Sequence, residues 1–406
     1  MKKEKEPTKS KKTTKPKAST KSKVSTKSKK TTKPKVSAKP KKATKPTEPT
    51  ESKKTTKSTK SKKRNIIIVA CIFAAALLIA GAFAIEQYYR LEVCNFSAND
   101  DESHGYYVYP DMTLDSLIYL MQADYTIGSY TDWRIHRRQY MHGEPQTGYY
   151  KFPARIGDKH LIVRLQLGQQ TPFRLTFTNA VRTREQLAGR MGKALLLDST
   201  EIIARLDSVE YLKRFGLNKE TAVCLFIPDT YEVYWTITPD QLFERMYREY
   251  QTFWNSERLR KADSLGLTPV EVATLASIVE SETHNEKEYP IIASLYLNRL
   301  RKGMALQACP TVIFATGDLK MRRVLKRHLR IDSPYNTYIH RGLPPGPIRC
   351  AMGSTMDAVL NAPETDYLYM CANPDWSGTH IFSANYSVHA EAAKAYQQEL
   401  DARQIH

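Results

Sequence analysis

The stretch Thr268-Pro-Val-Glu-Val-Ala-Thr-Leu-Ala-Ser-Ile-Val-Glu-Ser-Glu-Thr283 specifies a helix both at its start and along its length. Thr268 suits the N-cap, Pro269 the first helical position, and Glu271 completes a capping box. Val272, Leu275, Ala276 and Val279 recur at helical spacing and define a buried stripe. Two acids, Glu280 and Glu282, close the helix. Two residues of helix rotate by about 200°, so their carboxyls point to nearly opposite sides. Glu280 then borders the stripe and Glu282 points away from it. A carboxylate at a helix C-terminus and beside apolar surface has its charge disfavoured and its pKa raised. A general acid working near neutral pH needs that property. A salt-bridged surface glutamate has the same spacing, so the pattern by itself leaves both readings open.

Downstream, a second helix is predicted from Pro290 through Ile291, Leu295 and Leu300, with Arg299, Arg301 and Lys302 in its last turn and Gly303 as its stop. Arg322 to Arg330 is strongly basic and is expected to form a solvated helix face. Upstream, Tyr106–Tyr109, Tyr149–Phe152 and His160–Leu167 read as short β-like runs and Leu114–Gln122 as a helix. Phe173–Phe177 alternates as a strand, Thr183–Met191 is an amphipathic helix, and a second strand is expected near Ala222–Ile227. These elements predict an α+β protein. Residues 105–171 form a first α+β subdomain, 172–245 a second, and 255–406 a more helical C-terminal α+β domain. The polar residues 86–104 read as a linker.

The formal net charge of +20 over 406 residues has an uneven origin. Residues 1–64 hold 26 of the 62 basic and four of the 42 acidic groups, a net of +22; the other 342 residues hold 36 and 38, a net of −2. A uniformly basic nucleic-acid binder is therefore excluded. The tail is built from Lys, Thr, Ser, Pro and Ala, buries too little to offset its chain entropy, and is expected to be disordered. A solvated tail that helps set topology, a contact with anionic lipid, and, less favoured without aromatic residues, a contact with nucleic acid are its three readings. Ile66 to Ile85 is then an unbroken uncharged run of 20 residues, about 30 Å of helix, which predicts a membrane span over residues 65–85. Lys62, Lys63 and Arg64 border its N-terminal end, so the positive-inside rule keeps the tail cytoplasmic and exports residues 86–406. The wide cysteine spacings match no zinc motif, no metal or other cofactor is expected, and a Cys350–Cys371 disulfide lacks support.

Leu275-Ala-Ser-Ile-Val-Glu-Ser-Glu-Thr283 resembles the signature of the MltG-type (YceG-like) endolytic murein transglycosylases. Further blocks resemble that family in the same order: Leu295-Tyr-Leu-Asn-Arg-Leu300, Leu306-Gln-Ala-Cys-Pro-Thr-Val312, Ser333-Pro-Tyr-Asn-Thr-Tyr338, Gly342-Leu-Pro-Pro-Gly-Pro-Ile348 and Gly378-Thr-His-Ile-Phe-Ser383. The resemblance covers residues 105–403 and makes 172–245 a LysM-like subdomain that contacts glycan. It implies a membrane-bound lyase that cuts the MurNAc-β-1,4-GlcNAc bond within nascent strands and leaves 1,6-anhydro-MurNAc ends. Peptidoglycan strands would be its substrate, with the cell membrane and the peptidoglycan synthases as its neighbours. Glu280 is aligned with the catalytic glutamate. Asn298, Gln307, Thr311, Tyr335, Asn336, Tyr338 and His380 are candidates to line the cleft. Asp318 or Asp332 would be the second carboxylate if one were required. The family usually has Asp before Pro-Thr-Val where this chain has Cys309, which puts any role of position 309 in doubt. A hydrolytic muramidase and a noncatalytic glycan-binding anchor are the competing readings.

Overall fold

A run of 20 apolar residues in a row satisfies all of its backbone groups within itself when it is helical, as a bilayer core would require. In the computed structural model, which describes residues 56–321 and 323–403, this run lies within the 37-residue helix α1, Thr56–Glu92. Among the described residues, α1 alone is long and apolar enough by itself to cross a membrane. Residues 1–55 of the expected disordered tail lie outside the described residues. Thr56–Arg64, by contrast, is helical; a preformed apolar helix removes the nucleation cost, and Lys propagates helix well. The chain divides within α1 into two units, Met1–Phe73 and Ala74–His406.

In the second unit, the expected linker over 86–104 is ordered structure. α1 runs to Glu92, and β1 (Phe96–Ala98) is the central strand of a three-stranded sheet. Polar composition gave the linker reading, but Phe96 and Ala98 alternate inward across that sheet. The elements that follow are β2 (His104–Val108), α2 (Leu114–Met121), β3 (Tyr125–Ile127), α3 (Tyr130–Tyr140), β4 (Gly148–Phe152), β5 (Arg155–Ile156) and α4 (Asp158–Gln166). The sheet order β3-β1-β5 is antiparallel, and β2 pairs β4 with Tyr106 opposite Tyr150. Their core is built on Phe96, Tyr125, Tyr150, Phe152, Leu161 and Ile162. The β-like run expected at His160–Leu167 is α4, because Leu161, Ile162 and Leu165 fall on one helical face and Asp158 starts the helix. Glu92 at the end of α1 accepts from Lys159 Nζ at 2.5 Å, and Gln87 Nε2 donates to Asp132 of α3 at 3.1 Å. The C-terminal end of α1 is thus tied directly to the subdomain.

A second core extends from Leu175 to Leu360. It contains β6 (Phe173–Thr176), α5 (Arg184–Ala194), α6 (Ser199–Asp207), α7 (Val209–Lys213), β7 (Thr230–Val233), α8 (Pro239–Phe253), α9 (Ser256–Ser264), α10 (Pro269–Glu282), α11 (Tyr289–Arg301), α12 (Cys309–Thr316) and α13 (Gly353–Leu360). β8 (Tyr369–Ala372), β9 (His380–Ser383) and α14 (Tyr386–Ala402) complete the chain. β6 pairs antiparallel with β7, so the strand partner lies beyond the expected Ala222–Ile227. That segment is a buried 3₁₀ turn, Ala222–Leu225; Pro228 lacks the N–H a strand ladder would use. Residues 172–245 share this core with α9–α13 rather than owning one. Within the described part of the basic run 322–330, only a 3₁₀ turn at His328–Arg330 forms, not the expected helix.

Candidate active site

α10 lies at the centre of this core. Its start is as read from the sequence: Thr268 Oγ1 accepts from the Glu271 N–H at 3.3 Å and Glu271 Oε2 from the Thr268 N–H at 2.7 Å. The expected stripe is in fact an entire buried helix, since every residue from Val272 to Glu280 is buried. α9, α11, α12 and α13 surround it, and a helix enclosed on all sides needs no polar face until it emerges. It emerges at its last turn, where Glu280 and Glu282 turn into two different environments.

Glu280 is 3% exposed. Its Oε1 accepts from the Asn179 side-chain amide and its Oε2 from the Met352 N–H at 3.1 Å. Arg349 donates to the Glu280 carbonyl at 3.3 Å. Burial raises the carboxyl above its usual range, opposed by these donors and by the Arg349 charge. A cavity of about 360 Å³ bordered by Thr178, Asp229, Glu286, Tyr289 and Ser354 reaches it.

Glu282 keeps part of its surface open to solvent. Tyr296, about two turns along α11, donates its O–H to Glu282 Oε1 at 2.6 Å. Desolvation pushes the Glu282 carboxyl up to about 7, against the hydrogen bond from Tyr296 and the positive fields of His380 and Arg299. The Tyr338 hydroxyl lies 3.3 Å from Cys309 Sγ, and both groups feel the Glu282 charge. His380 on β9 is fixed by Glu288: Oε1 accepts the His380 N–H at 2.7 Å, and Oε2 lies 2.9 Å from Nδ1. Thr283 Oγ1 donates to the same Oε2 at 3.1 Å. Arg299 is occupied by the carbonyls of Leu368 and Leu306, at 2.6 and 2.7 Å, so its cation is held in place beneath the site.

Two of the residues expected to line a cleft, Tyr338 and His380, therefore gather about Glu282 and not about Glu280. Gln307 is exposed close by, its backbone at φ +54° and its N–H bonded to the Thr337 carbonyl. The other expected residues are structural in their contacts. Asn298 donates to the Thr365 and Tyr367 carbonyls at 2.6 and 3.1 Å. Thr311 is fully buried against Ala308 and Thr337. Asn336 holds the Leu329 and Ile331 carbonyls, at 3.1 and 2.8 Å. Tyr335 packs on Phe314 at 4.7 Å between ring centres. Asp332 is exposed 3.8 Å from His340, and Asp318 caps the Lys320 N–H; neither touches either acid. Tyr296, Arg299 and Glu288 escaped the sequence reading. Tyr296 and Arg299 sit in the quoted Leu295–Leu300 block, where i, i+3 spacing would have placed them on one helix face. All six cysteines are free thiols, Cys350 and Cys371 included. Among the described residues no group of three or more His, Cys, Asp and Glu side chains gathers in a metal-binding arrangement.

Comparison with known proteins fits this architecture. An endolytic murein transglycosylase of Bacillus subtilis (strain 168) is 30% identical over 273 residues, which is 62% of this chain and 73% of that protein. One of Streptococcus pneumoniae serotype 2 is 26% identical over 263 residues, 56% of this chain and 46% of the streptococcal protein, so the chain spans about half of its length. The crystal structure of a yceG-like protein from Listeria monocytogenes superposes with a TM-score of 0.50 at 23% identity, covering 71% of this chain and 98% of that one, a likeness of fold. The model of the YceG-like family matches residues 106–395, and the chain belongs to that family.

Proposed function

We propose that this protein is a membrane-anchored lytic transglycosylase that cuts murein glycan strands internally, at the MurNAc-β-1,4-GlcNAc bond. The relatives' names supply the reaction class. The observation that carries the reading is Glu282, a carboxyl pushed up to about 7 at the end of a rigid buried helix, with Tyr296 fixing its Oε1. Glu282 protonates the bridging oxygen as the C1–O bond breaks and positive charge develops at C1 of the muramic sugar. The resulting carboxylate then takes the proton of the C6 hydroxyl, whose oxygen bonds to C1. No water enters, the acid is regenerated, and the product carries a 1,6-anhydro ring.

The family resemblance aligns Glu280 with the catalytic acid. What supports Glu282 instead is protonation, since burial lifts its carboxyl to about 7. Glu280 has an N–H donor on each oxygen, an arrangement that favours the charged form, and little exposed surface. Glu280 remains the second reading because it too is raised and borders a cavity. A hydrolytic muramidase is less favoured. It needs a second free carboxylate, and Glu288, the acid tied to His380, already accepts hydrogen bonds on both oxygens.

The anchor places the body outside the cytoplasm, because Lys62, Lys63 and Arg64 precede the apolar run. Residues 172–245 act as the LysM-like glycan contact, through an open groove of about 770 Å³ that includes Tyr234, Thr238, Gln241 and Arg245. Mass spectrometry of sacculus digests tests the reaction and the identity of the acid. Wild type should leave anhydro-muramic ends, Glu282→Gln should leave none, and Glu280→Gln should retain cleavage. Reducing ends that carry solvent oxygen would exclude the lyase, and an active Glu282→Gln protein would move the acid to Glu280.

A further inference from the structure

Beyond α10, segment 179–182 runs beside segment 349–352. The Cys350 N–H donates to the Val181 carbonyl at 2.9 Å, which sets the next residues, Arg182 and Arg349, side by side. Both are partly buried, and the Nε of each is fully buried with no hydrogen-bond partner. Among the described residues no carboxylate comes within 4 Å of either guanidinium; their contacts are the Leu319 carbonyl at 3.5 Å and the Glu280 carbonyl at 3.3 Å. Nearby cations are different. Arg184 and Lys219 are both paired with Asp207. Two adjacent, partly buried guanidiniums without an ion-pair partner are costly, and burial, then the Arg349 charge, holds the Arg182 pKa below its usual range.

Arg182 lines a cavity of about 260 Å³ with Thr183, Lys219, Phe314, Tyr335 and Pro347. Its rim acids, Glu185 and Glu220, are exposed. Two of the elements that line the cavity also carry residues near Glu282. Phe314 lies on α12, which begins at Cys309, and Tyr335 belongs to the same loop as Tyr338. Cys309 and Phe314 are separated by about 8 Å of helix rise, a distance that two or three peptide residues span.

We infer that the Arg182–Arg349 pair is a carboxylate-binding subsite for the stem peptide of the murein strand. This rests on the murein-cleaving reading above and adds to it which part of the substrate is gripped away from the scissile bond. A planar guanidinium pair receives a carboxylate through parallel charge-assisted hydrogen bonds, and an incoming anion supplies the missing countercharge. A phosphate offers the same chemistry, and a strand still attached to its lipid pyrophosphate would present one.

The test compares kcat/KM of the full chain on strands bearing stem peptides and on strands stripped of them by an amidase. Wild type should prefer stem-bearing strands. Arg182→Ala/Arg349→Ala should reduce that preference about tenfold or more, and Arg182→Lys/Arg349→Lys should restore part of it. A preference left unchanged in the alanine variant overturns the inference, as does an equal loss on both strand types. A loss confined to strands carrying lipid pyrophosphate also overturns it, in favour of phosphate. If the double alanine variant does not fold, the lysine variant carries the same ratio test, with a reduced preference expected from the lost guanidinium forks and an unmoved one overturning the inference. Absence of anhydro ends from wild type on either substrate would instead refute the proposed function.

Discussion

Replacing Glu282 by Gln should abolish cleavage and also make the protein more stable, but only at neutral and alkaline pH. The folded protein holds this carboxyl at about 7 against an ordinary 4.5. At about 1.4 kcal/mol per unit, that gap amounts to about 3 kcal/mol, and partial exposure of the group reduces it to about 2–3 kcal/mol. The sign follows from which state binds the proton. Between pH 4.5 and 7 the folded state keeps it while the unfolded chain releases it, so wild-type stability falls through that window. Above pH 7 the whole penalty is in force; near pH 4 it is absent. The neutral amide of the Glu282→Gln variant carries no such penalty, and its oxygen still accepts from the Tyr296 hydroxyl. Urea unfolding of the full chain in detergent, followed by tryptophan fluorescence at pH 4.5 and pH 8, measures the difference. The variant's advantage over wild type should grow by about 2–3 kcal/mol between those pH values. Growth of less than about 1 kcal/mol, or a shift of opposite sign, would refute the claim that Glu282 is held protonated by burial.

Tyr296→Phe removes a hydrogen bond that favours the Glu282 carboxylate, so the descending limb of kcat/KM against pH should move up by about one unit; a limb that stays put would detach Tyr296 from the acid. Cys309→Asp, which restores the residue usual in the family, puts a negative charge beside Tyr338 and close to Glu282. Its limb should also move up, and a downward shift in the pH profile would show that the introduced carboxylate is neutralised elsewhere. Thr268→Ala removes one half of the α10 capping box and should cost about 1 kcal/mol in urea unfolding with no change in the pH profile. Leu275→Ala, at a fully buried position of the same helix, should cost about 2–5 kcal/mol.

The sequence made α10 and α11 legible because their signals are local: a capping box, a proline at the first turn, a glycine after the last. It also required Glu280 and Glu282 to face apart, since that follows from helical rotation. Which acid had the better setting was not legible. That depends on Asn179 and Met352 reaching Glu280 from 101 and 72 residues away, and on His380 and Tyr338 converging on Glu282. The stripe rule failed in an informative way: a helix buried on every side has no exposed face against which to judge where an acid points. Asn298, Thr311 and Asn336 look like sugar-binding residues by type, yet each turns its side-chain donor to a backbone carbonyl. α4 was missed because β-branched Ile162 and Val163 imitate a strand until Leu165 completes the helical spacing.

The taut junction at the end of α1 has a mechanical consequence. Ile85 and Glu92 are seven residues apart on one helix, a rise of about 10 Å, and Gln87, Arg90 and Glu92 are all fastened to the first subdomain. Between the end of the apolar run and the first subdomain there is therefore no flexible linker: the polar turns of α1 are themselves part of the folded body.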